Sequence, residues 1–177
     1  MQSHPPAPLA GVLNTPYLSR LRRNHGLEHA TLTILSRKYS GRSLSGHSDT
    51  AGFWLIGDVS QEAVQAAVQE ALLRLKAGER GLAVHPNCGT NFVTSGVLSA
   101  LAAYLAFLGT GRGFRDRFER LPLAAAFSVM ALIIANPLGM VLQRSVTTSG
   151  DPGALTVVLI ESRRRGRWMA HRVLTRG

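Results

Sequence analysis

The chain has 177 residues, of which 45% are hydrophobic, and a formal net charge of +10 from 20 basic and 10 acidic side chains. This length suits one compact domain, or a small domain with a membrane segment. The single cysteine, Cys88, excludes an intrachain disulfide and favours a reducing compartment. Nucleic-acid binding through the excess arginines is disfavoured, because no nucleic-acid motif is present and aromatic residues do not interleave with the basic ones.

The first 16 residues hold four prolines and lack the charged start and apolar core of a signal peptide. We predict an extended, disordered tail for residues 1–16. A helix is predicted from Tyr17 to Tyr39, because apolar and motif residues recur there at spacings of three and four and therefore share one face. These residues are Leu18, Leu21, His25, Glu28, His29 and Leu32.

Residues 40–50 form a polar stretch, followed by a short predicted strand of bulky residues over 52–57. Ser60 is a suitable N-cap for a helix over 61–76 with one apolar stripe, and Gly78 ends it. A second short strand is predicted at 82–84. Together these elements predict a small αβ layer within an α+β fold, with residues 17–91 as its domain.

Two stretches without charge, 92–109 and 121–143, are near the length of a membrane-spanning helix. A pair of buried core helices is the alternative, but so short a chain offers little protein to cover them. We therefore predict a transmembrane helical hairpin over 92–143, joined by an arginine-rich turn. Asn136-Pro137 is expected to kink the second span or to end its regular part.

The remaining residues, 144–177, are predicted to be a basic C-terminal segment with a short strand over 155–160. Its arginines, with Trp168 beside them, fit either an anchor at the membrane interface or simple surface solvation. These arginines are Arg163, Arg164, Arg165 and Arg167. Because a hairpin returns the chain to its starting side, both soluble parts share one compartment, and arginine counts favour the cytoplasmic side of the inner membrane.

The segment His25-Gly26-Leu27-Glu28-His29 carries the main chemical prediction. Histidines four apart on a helix lie one above the other, so both imidazoles can reach one divalent ion, for which zinc is the leading candidate. Glu28 points to the same side and can accept a proton from a metal-bound water without being a ligand. A solvent-facing helix with an incidental histidine pair is the alternative.

Two imidazoles do not complete a zinc site. Cys88 is the leading third ligand, because it lies in a turn-forming stretch after the predicted strand and a thiolate binds zinc well. His85 is an alternative ligand or a residue that orients one. A buried cysteine without chemistry remains the alternative for Cys88. Asp49, with His47 near it, is a candidate second acid/base, although Ser48-Asp49-Thr50 also suits a simple turn.

The order of these motifs resembles S-ribosylhomocysteine lyase, which has a His-x-x-Glu-His helix, a Gly-Phe strand and a Cys-Gly-Thr turn in the same order. Here they are His25 to His29, Gly52-Phe53 and Cys88-Gly89-Thr90, and the resemblance covers residues 20–95. It implies His25, His29 and Cys88 as metal ligands and Glu28 as general acid/base. The helix motif is also similar to that of the pitrilysin-like peptidases, and the two spans resemble an uncharacterised bacterial membrane family.

One departure argues against the lyase reaction itself, because Asp49 stands where the lyase has a reactive cysteine. We therefore predict a membrane-anchored zinc hydrolase that acts on a peptide, an amide or a lipid-linked substrate, with Glu28 as base. The alternative is a non-catalytic membrane subunit with a structural zinc site. The expected partner is the lipid bilayer, a homodimer or larger membrane complex is compatible with the sequence, and no nucleic acid is expected.

Overall fold

The computed structural model describes residues 7–177, and side chains from residue 9 onward. The chain forms two compact units. The first comprises the described residues up to His85 together with residues 143–177, and the second comprises residues 86–142. The predicted basic C-terminal segment, 144–177, is part of the first unit.

The first unit holds three helices and four strands. The helices are α1 (Ala7–Leu13), α2 (Pro16–Lys38) and α3 (Gln61–Lys76), and the strands are β1 (Leu44–Asp49), β2 (Gly52–Gly57), β3 (Thr156–Arg165) and β4 (Trp168–Arg176). The strands form one antiparallel sheet in the order β1-β2-β4-β3. The chain's last strand therefore lies between β2 and β3, and its pairing unites the two sequence segments of this unit.

Helices α2 and α3 pack against the sheet through a single apolar core. Phe53 and Val173 lie opposite each other on β2 and β4, and both are fully buried. Leu27 and Leu35 of α2 and Val64 of α3 belong to the same cluster. Because side chains alternate along a strand, this core occupies one face of the sheet and leaves the other face without a helix from this unit.

A polar contact fixes α2 at the edge of this core. Asn24 is fully buried, and its amide donates to the Asp49 carbonyl oxygen at 2.8 Å. Thr175 of β4 donates its hydroxyl to the Asn24 amide oxygen at 2.7 Å. A buried polar side chain is stable only when it is paired, so this network holds α2 in register with the β1–β2 turn and with β4. His25 follows directly after Asn24, and His29 lies one helical turn further along α2.

The second unit is a pair of apolar helices, α4 (Gly89–Phe107) and α6 (Leu121–Leu142), with the short α5 (Phe114–Glu119) between them. They run antiparallel, because Ser128 donates to the Ser99 carbonyl oxygen at 3.4 Å while Asn91 lies against Met140, with 3.7 Å between amide nitrogen and sulfur. Gly139 permits the close approach at Asn91, since a Cβ there would lie 2.3 Å from the Asn91 amide oxygen.

Both apolar helices are long and apolar enough to cross a membrane. The two helical segments are Gly89–Phe107 and Phe114–Thr147, and only 17% and 11% of the most apolar 18-residue stretch in each is buried in the structure. Core helices of a soluble protein are mostly buried, so this low burial favours the membrane interpretation over the alternative. Helix α6 continues through Pro137 and ends at Leu142, where a π-helical turn, Gln143–Thr147, begins.

Four local predictions differ from the structure. Residues 7–13 of the expected tail are helical, and residues 1–6 lie outside the described part of the chain. The stretch Leu82–Val84 is not a strand: Arg80–Ala83 form a 3-10 turn, and Leu82 and Ala83 join the core beside α2. The polar stretch before Gly52 contains strand β1, and the C-terminal segment contains two strands instead of one.

Candidate metal centre

His25 and His29 lie one turn apart on α2, as the motif spacing predicts. Their ring centroids are 4.3 Å apart, with an angle of 64° between the ring planes. His29 is buried, with 2% of its surface exposed, whereas His25 is half-buried. The pair therefore lies where α2 enters the core, and it is not a solvent-facing pair on an exposed helix.

Each histidine ring is oriented by a backbone carbonyl. The Nδ1 atom of His25 lies 2.9 Å from the Thr147 oxygen, and that of His29 lies 2.9 Å from the Ala83 oxygen. Because a carbonyl oxygen can only accept a hydrogen bond, each Nδ1 carries a proton, and Nε2 is the ring nitrogen that can face a metal ion. A metal-binding histidine has this tautomer and this kind of backbone partner.

Gly26 allows the two chain segments that carry these carbonyls to approach the helix. A Cβ at Gly26 would lie 2.0 Å from the Ser149 oxygen and 3.3 Å from the Ala83 Cβ. Arg22, one turn earlier, donates to the carbonyls of Ser145 and Thr148, and its own carbonyl accepts from the Ser149 amide at 2.9 Å. The segment after α6 and the 3-10 turn therefore both contact α2 at the position where a side chain is missing.

Cys88 belongs to a group of three residues that could hold a metal ion. One ligand atom from each of His25, His29 and Cys88 lies within 4.8 Å of the others, and the cysteine is buried. Chain connectivity limits where Cys88 can lie, because it is three residues from His85, a distance of about 10 Å at full extension. Cys88 is also the N-cap of α4, where the helix dipole favours a negatively charged group such as a thiolate.

His85 lies beside this group without being one of its three members. Its ring centroid is 6.0 Å from that of His29, and its amide donates to the Gln143 side-chain oxygen at 3.0 Å. Burial lowers the pKa of His85, which favours the neutral ring. His85 therefore occupies a position suited to supporting a ligand, which is one of the two roles the sequence left open for it.

Glu28 is directed toward β1, away from solvent. Only 3% of its surface is exposed, and its carboxylate accepts a short hydrogen bond from the Ser48 hydroxyl. Gly46 lies against the same carboxylate: a Cβ there would be 2.2 Å from Oε1. Burial raises the pKa of Glu28, while the Ser48 hydrogen bond and the charges of His25 and His47 lower it in part. Glu28 is therefore a buried carboxyl beside the histidines and outside the three-ligand group.

Asp49 is held on the other side of the sheet. Side chains alternate along β1, so Ser48 faces α2 while His47 and Asp49 face the opposite way. The Asp49 carboxylate forms an ion pair with Arg172 at 2.9 Å and accepts from the Ala51 amide at 2.7 Å. Burial raises its pKa, but the hydrogen bonds from Arg172 and from the turn outweigh that effect and leave the pKa below its usual range. The structure thus does not bring Asp49 to Glu28, and its predicted catalytic role gains no geometric support.

Sequence reasoning missed Gly46, Ser48 and the carbonyls of Ala83 and Thr147. The first two form a period-two pair of small residues, a signal that becomes readable only once residues 44–49 are known to be a strand. The two carbonyls leave no signal in the sequence, because any residue supplies one. Gly26 lies inside the motif, but its role depends on the Ser149 segment, which packs against it in the folded chain.

The fold thus defines an α+β protein with a four-stranded antiparallel sheet and two apolar helices long enough to span a membrane. The chain belongs to the family described as "Domain of unknown function (DUF6391)", which matches residues 20–160. It is 34% identical over 139 residues to an uncharacterised protein of Picosynechococcus sp. strain PCC 7002, an alignment covering 73% of this chain and 66% of that protein, slightly under two thirds of its length. No solved structure matches the chain significantly.

Proposed function

We propose that this protein is a membrane-anchored, zinc-dependent hydrolase whose substrate is a peptide, an amide or a lipid-linked molecule. The observation that carries the proposal is the matched orientation of the two histidines, each with Nδ1 bonded to a backbone carbonyl. Two imidazoles and one thiolate are a donor set that zinc accepts in catalytic sites with an open fourth position. When bound, the ion would supply Lewis-acid chemistry, activating water or polarising a carbonyl.

In this proposal the chain's own residues orient the ligands and move a proton. Ala83 and Thr147 fix the histidine rings through their carbonyls, and His85 lies beside the His29 ring. Glu28 takes a proton from the water that attacks the substrate carbonyl and then returns this proton to the leaving group. Ser48 and Gly46 hold the Glu28 carboxylate in one position for that transfer. Burial raises the pKa of this carboxyl, which favours acid/base work near neutral pH.

The anchor would be the helical hairpin formed by α4 and α6. Strands from both flanking segments pair in one sheet, which supports a hairpin that begins and ends on the same side of a bilayer. We propose that this side is the cytoplasmic side of the inner membrane, on the strength of the arginine counts. Resistance to extraction by carbonate and release by detergent would support the anchor, whereas full solubility after lysis without detergent would rule it out.

A second candidate function comes from the same donor set. If a fourth protein group, such as His85, closes the coordination sphere, the ion would only connect α2 to the turn before α4, and the protein would be a non-catalytic membrane subunit. The ring centroids of His29 and His85 are 6.0 Å apart, and this proximity supports the second candidate function. X-ray absorption at the zinc edge separates the two, because an open site shows an additional oxygen ligand.

The metal assignment is tested by elemental analysis of the detergent-purified protein. We expect about one zinc ion per chain, and loss of the metal in His29→Ala. His47→Ala is the matched control, because His47 is exposed and on the other side of β1, and it should retain full metal content. Equal metal content in His29→Ala and wild type would overturn the assignment.

The base assignment is tested by Glu28→Gln, which keeps the size and hydrogen-bonding shape of the side chain. This variant should retain zinc and lose hydrolysis of a mixture of fluorogenic peptide amides by at least about 100-fold. Loss of zinc would instead make Glu28 a ligand. If wild-type protein with full zinc content hydrolyses none of these substrates, and its edge spectrum shows no oxygen ligand, the structural-subunit function replaces the hydrolase.

A further inference from the structure

The tip of the β3–β4 hairpin carries a dense positive charge that the metal centre does not use. We call residues 163–168 the arginine hairpin; it contains Arg163, Arg164, Arg165, Gly166, Arg167 and Trp168. Arg165 pairs with Trp168 across a two-residue turn, in which Gly166 takes a positive φ of 63°. All four arginines are exposed, and the strand spacing places them within about 15 Å of one another.

The β3–β4 hairpin holds these four arginines close together. In the described residues, the ion pairs involve other basic side chains, and none includes an arginine of this hairpin. The one carboxylate on β3, Glu161, lies opposite Arg172, two pairs away from Arg163. Like charges on an ordered hairpin repel one another, so the arrangement is favourable when an anionic surface lies against it.

The aromatic residue of the tip favours a lipid surface over a nucleic acid. Trp168 is half-buried, and the Arg167 guanidinium covers its ring at 4.7 Å, so that face is not available for stacking on a base. A tryptophan beside arginines is typical of the headgroup layer of a membrane. The chain also carries two helices able to span a bilayer, which would keep phospholipid headgroups at high local concentration.

We propose that the arginine hairpin binds the headgroups of anionic phospholipids. Arg163 and Arg165 project from the sheet face that has no helix of its own unit, and Trp168 projects beside them from the neighbouring strand. The guanidinium groups bind lipid phosphates, and the indole enters the interfacial layer between them. Each arginine near such a surface contributes about fivefold to the equilibrium between the bound and the detached hairpin.

The test uses the full chain in nanodiscs and the fluorescence of Trp168. The protein has two tryptophans, so Trp54→Phe leaves Trp168 as the single reporter. Nanodiscs of phosphatidylcholine alone are compared with nanodiscs that also contain phosphatidylglycerol, both with brominated acyl chains that quench nearby indole. We expect stronger quenching with phosphatidylglycerol, and we expect high salt to weaken it.

The deciding variant replaces all four hairpin arginines with glutamine. Quenching in phosphatidylglycerol nanodiscs should then fall to the level seen with phosphatidylcholine. The matched control removes four positive charges elsewhere on the same unit, at exposed positions, and should keep the quenching. Its substitutions are Arg37→Gln, Lys38→Gln, Arg42→Gln and Lys76→Gln. An equal circular-dichroism spectrum for both variants establishes that the fold is retained.

Three outcomes would overturn the proposal. Quenching that is equal in the two lipid compositions would show that anionic headgroups are not recognised. An equal loss in the hairpin variant and in the control variant would assign the effect to net charge alone. Protection of Trp168 from a soluble quencher by single-stranded RNA, with no effect of phosphatidylglycerol, would assign the hairpin to nucleic acid instead.

Discussion

Gly46 lies directly against the carboxylate of Glu28, so close that a Cβ on Gly46 would stand 2.2 Å from Oε1 and 2.7 Å from the carboxyl carbon. The edge strand β1 therefore forms one wall around the motif glutamate, and the Ser48 hydroxyl donates to it from the same strand. A glycine is needed here for space, since its φ is not positive. The glutamate of the motif is thus positioned by β1 as well as by its own helix.

Gly46→Ala should destabilise the protein by about 1–3 kcal/mol, because the added methyl group overpacks a buried carboxylate. Chemical unfolding followed by circular dichroism measures the free energy. Ser45→Ala, one residue earlier and on the other side of β1, is the control and should change stability little. In a Glu28→Ala background the cost of Gly46→Ala should largely disappear. An unchanged cost in that background would mean that Gly46 acts through another contact.

Gly26→Ala should lower metal affinity by roughly 10- to 100-fold, because a methyl group there displaces the Ser149 segment and with it the Thr147 carbonyl that orients His25. Competition with a chromophoric chelator measures the affinity. Gly81→Ala is the matched control, since Gly81 has open space at its Cβ position in the nearby 3-10 turn. Equal affinity in Gly26→Ala and wild type would show that the carbonyl contact does not tune the site.

Cobalt substitution should distinguish Cys88 from His85 as the third ligand. A cobalt–thiolate bond gives a charge-transfer band in the near ultraviolet, which we expect in the wild type and in His85→Ala. Cys88→Ser should lose the band while His25 and His29 still bind the ion more weakly. A band that survives in Cys88→Ser would remove the cysteine from the coordination sphere, since the chain has no other.

Stability should fall as the pH drops below about 6.5, the ordinary pKa of histidine, through the fully buried His171. Burial lowers the pKa of this ring, and the nearby Val59 backbone opposes part of that shift. In this range the unfolded chain therefore binds a proton that the folded chain does not, and unfolding becomes easier as the pH falls. One such group changes the free energy by at most about 1.4 kcal/mol per pH unit.

The measurement compares wild type with His171→Leu by chemical unfolding between pH 7 and pH 5, a range set by the ordinary histidine pKa of about 6.5. Taking the difference between the two proteins cancels the titration of the other histidines. Ser162, whose hydroxyl lies 2.7 Å from Nδ1 of His171, is unchanged in both. If the two proteins show the same pH dependence, His171 does not cause it.

Helix α3 shows where sequence reasoning succeeds. Its predicted bounds, 61–76, are those of the structure, because three independent signals agree. The Ser60 hydroxyl accepts from the Ala63 amide at 3.2 Å, the apolar stripe faces the core, and Gly78 has a positive φ of 94° just after the helix. The bounds of α2 and α6 were also predicted within one or two residues, since long periodic or apolar segments carry strong signals.

Strand β1 and the stretch 82–84 show where sequence reasoning fails. Residues 44–49 are rich in serine and glycine, so their extended conformation comes from pairing with β2 and not from their own preference. The stretch 82–84 has strand-forming residues, but both edges of β2 are already taken by β1 and β4, and it packs against α2 as a 3-10 turn instead.

Of the candidate site, the sequence predicted the group His25, His29 and Cys88, while the backbone contacts that orient the histidines depend on tertiary structure.

The central place of β4 imposes an order of events on biosynthesis. The ribosome makes α2, β1 and β2 before both apolar helices, and β4 only after those helices. Until then β2 has one unpaired edge, which can recruit strands from other nascent chains. The Thr147 carbonyl that orients His25 is likewise made only after both apolar helices. Assembly of the proposed metal site would therefore have to wait for both apolar helices and for Thr147, and a chain stopped before that point would expose an incomplete site to quality-control proteases.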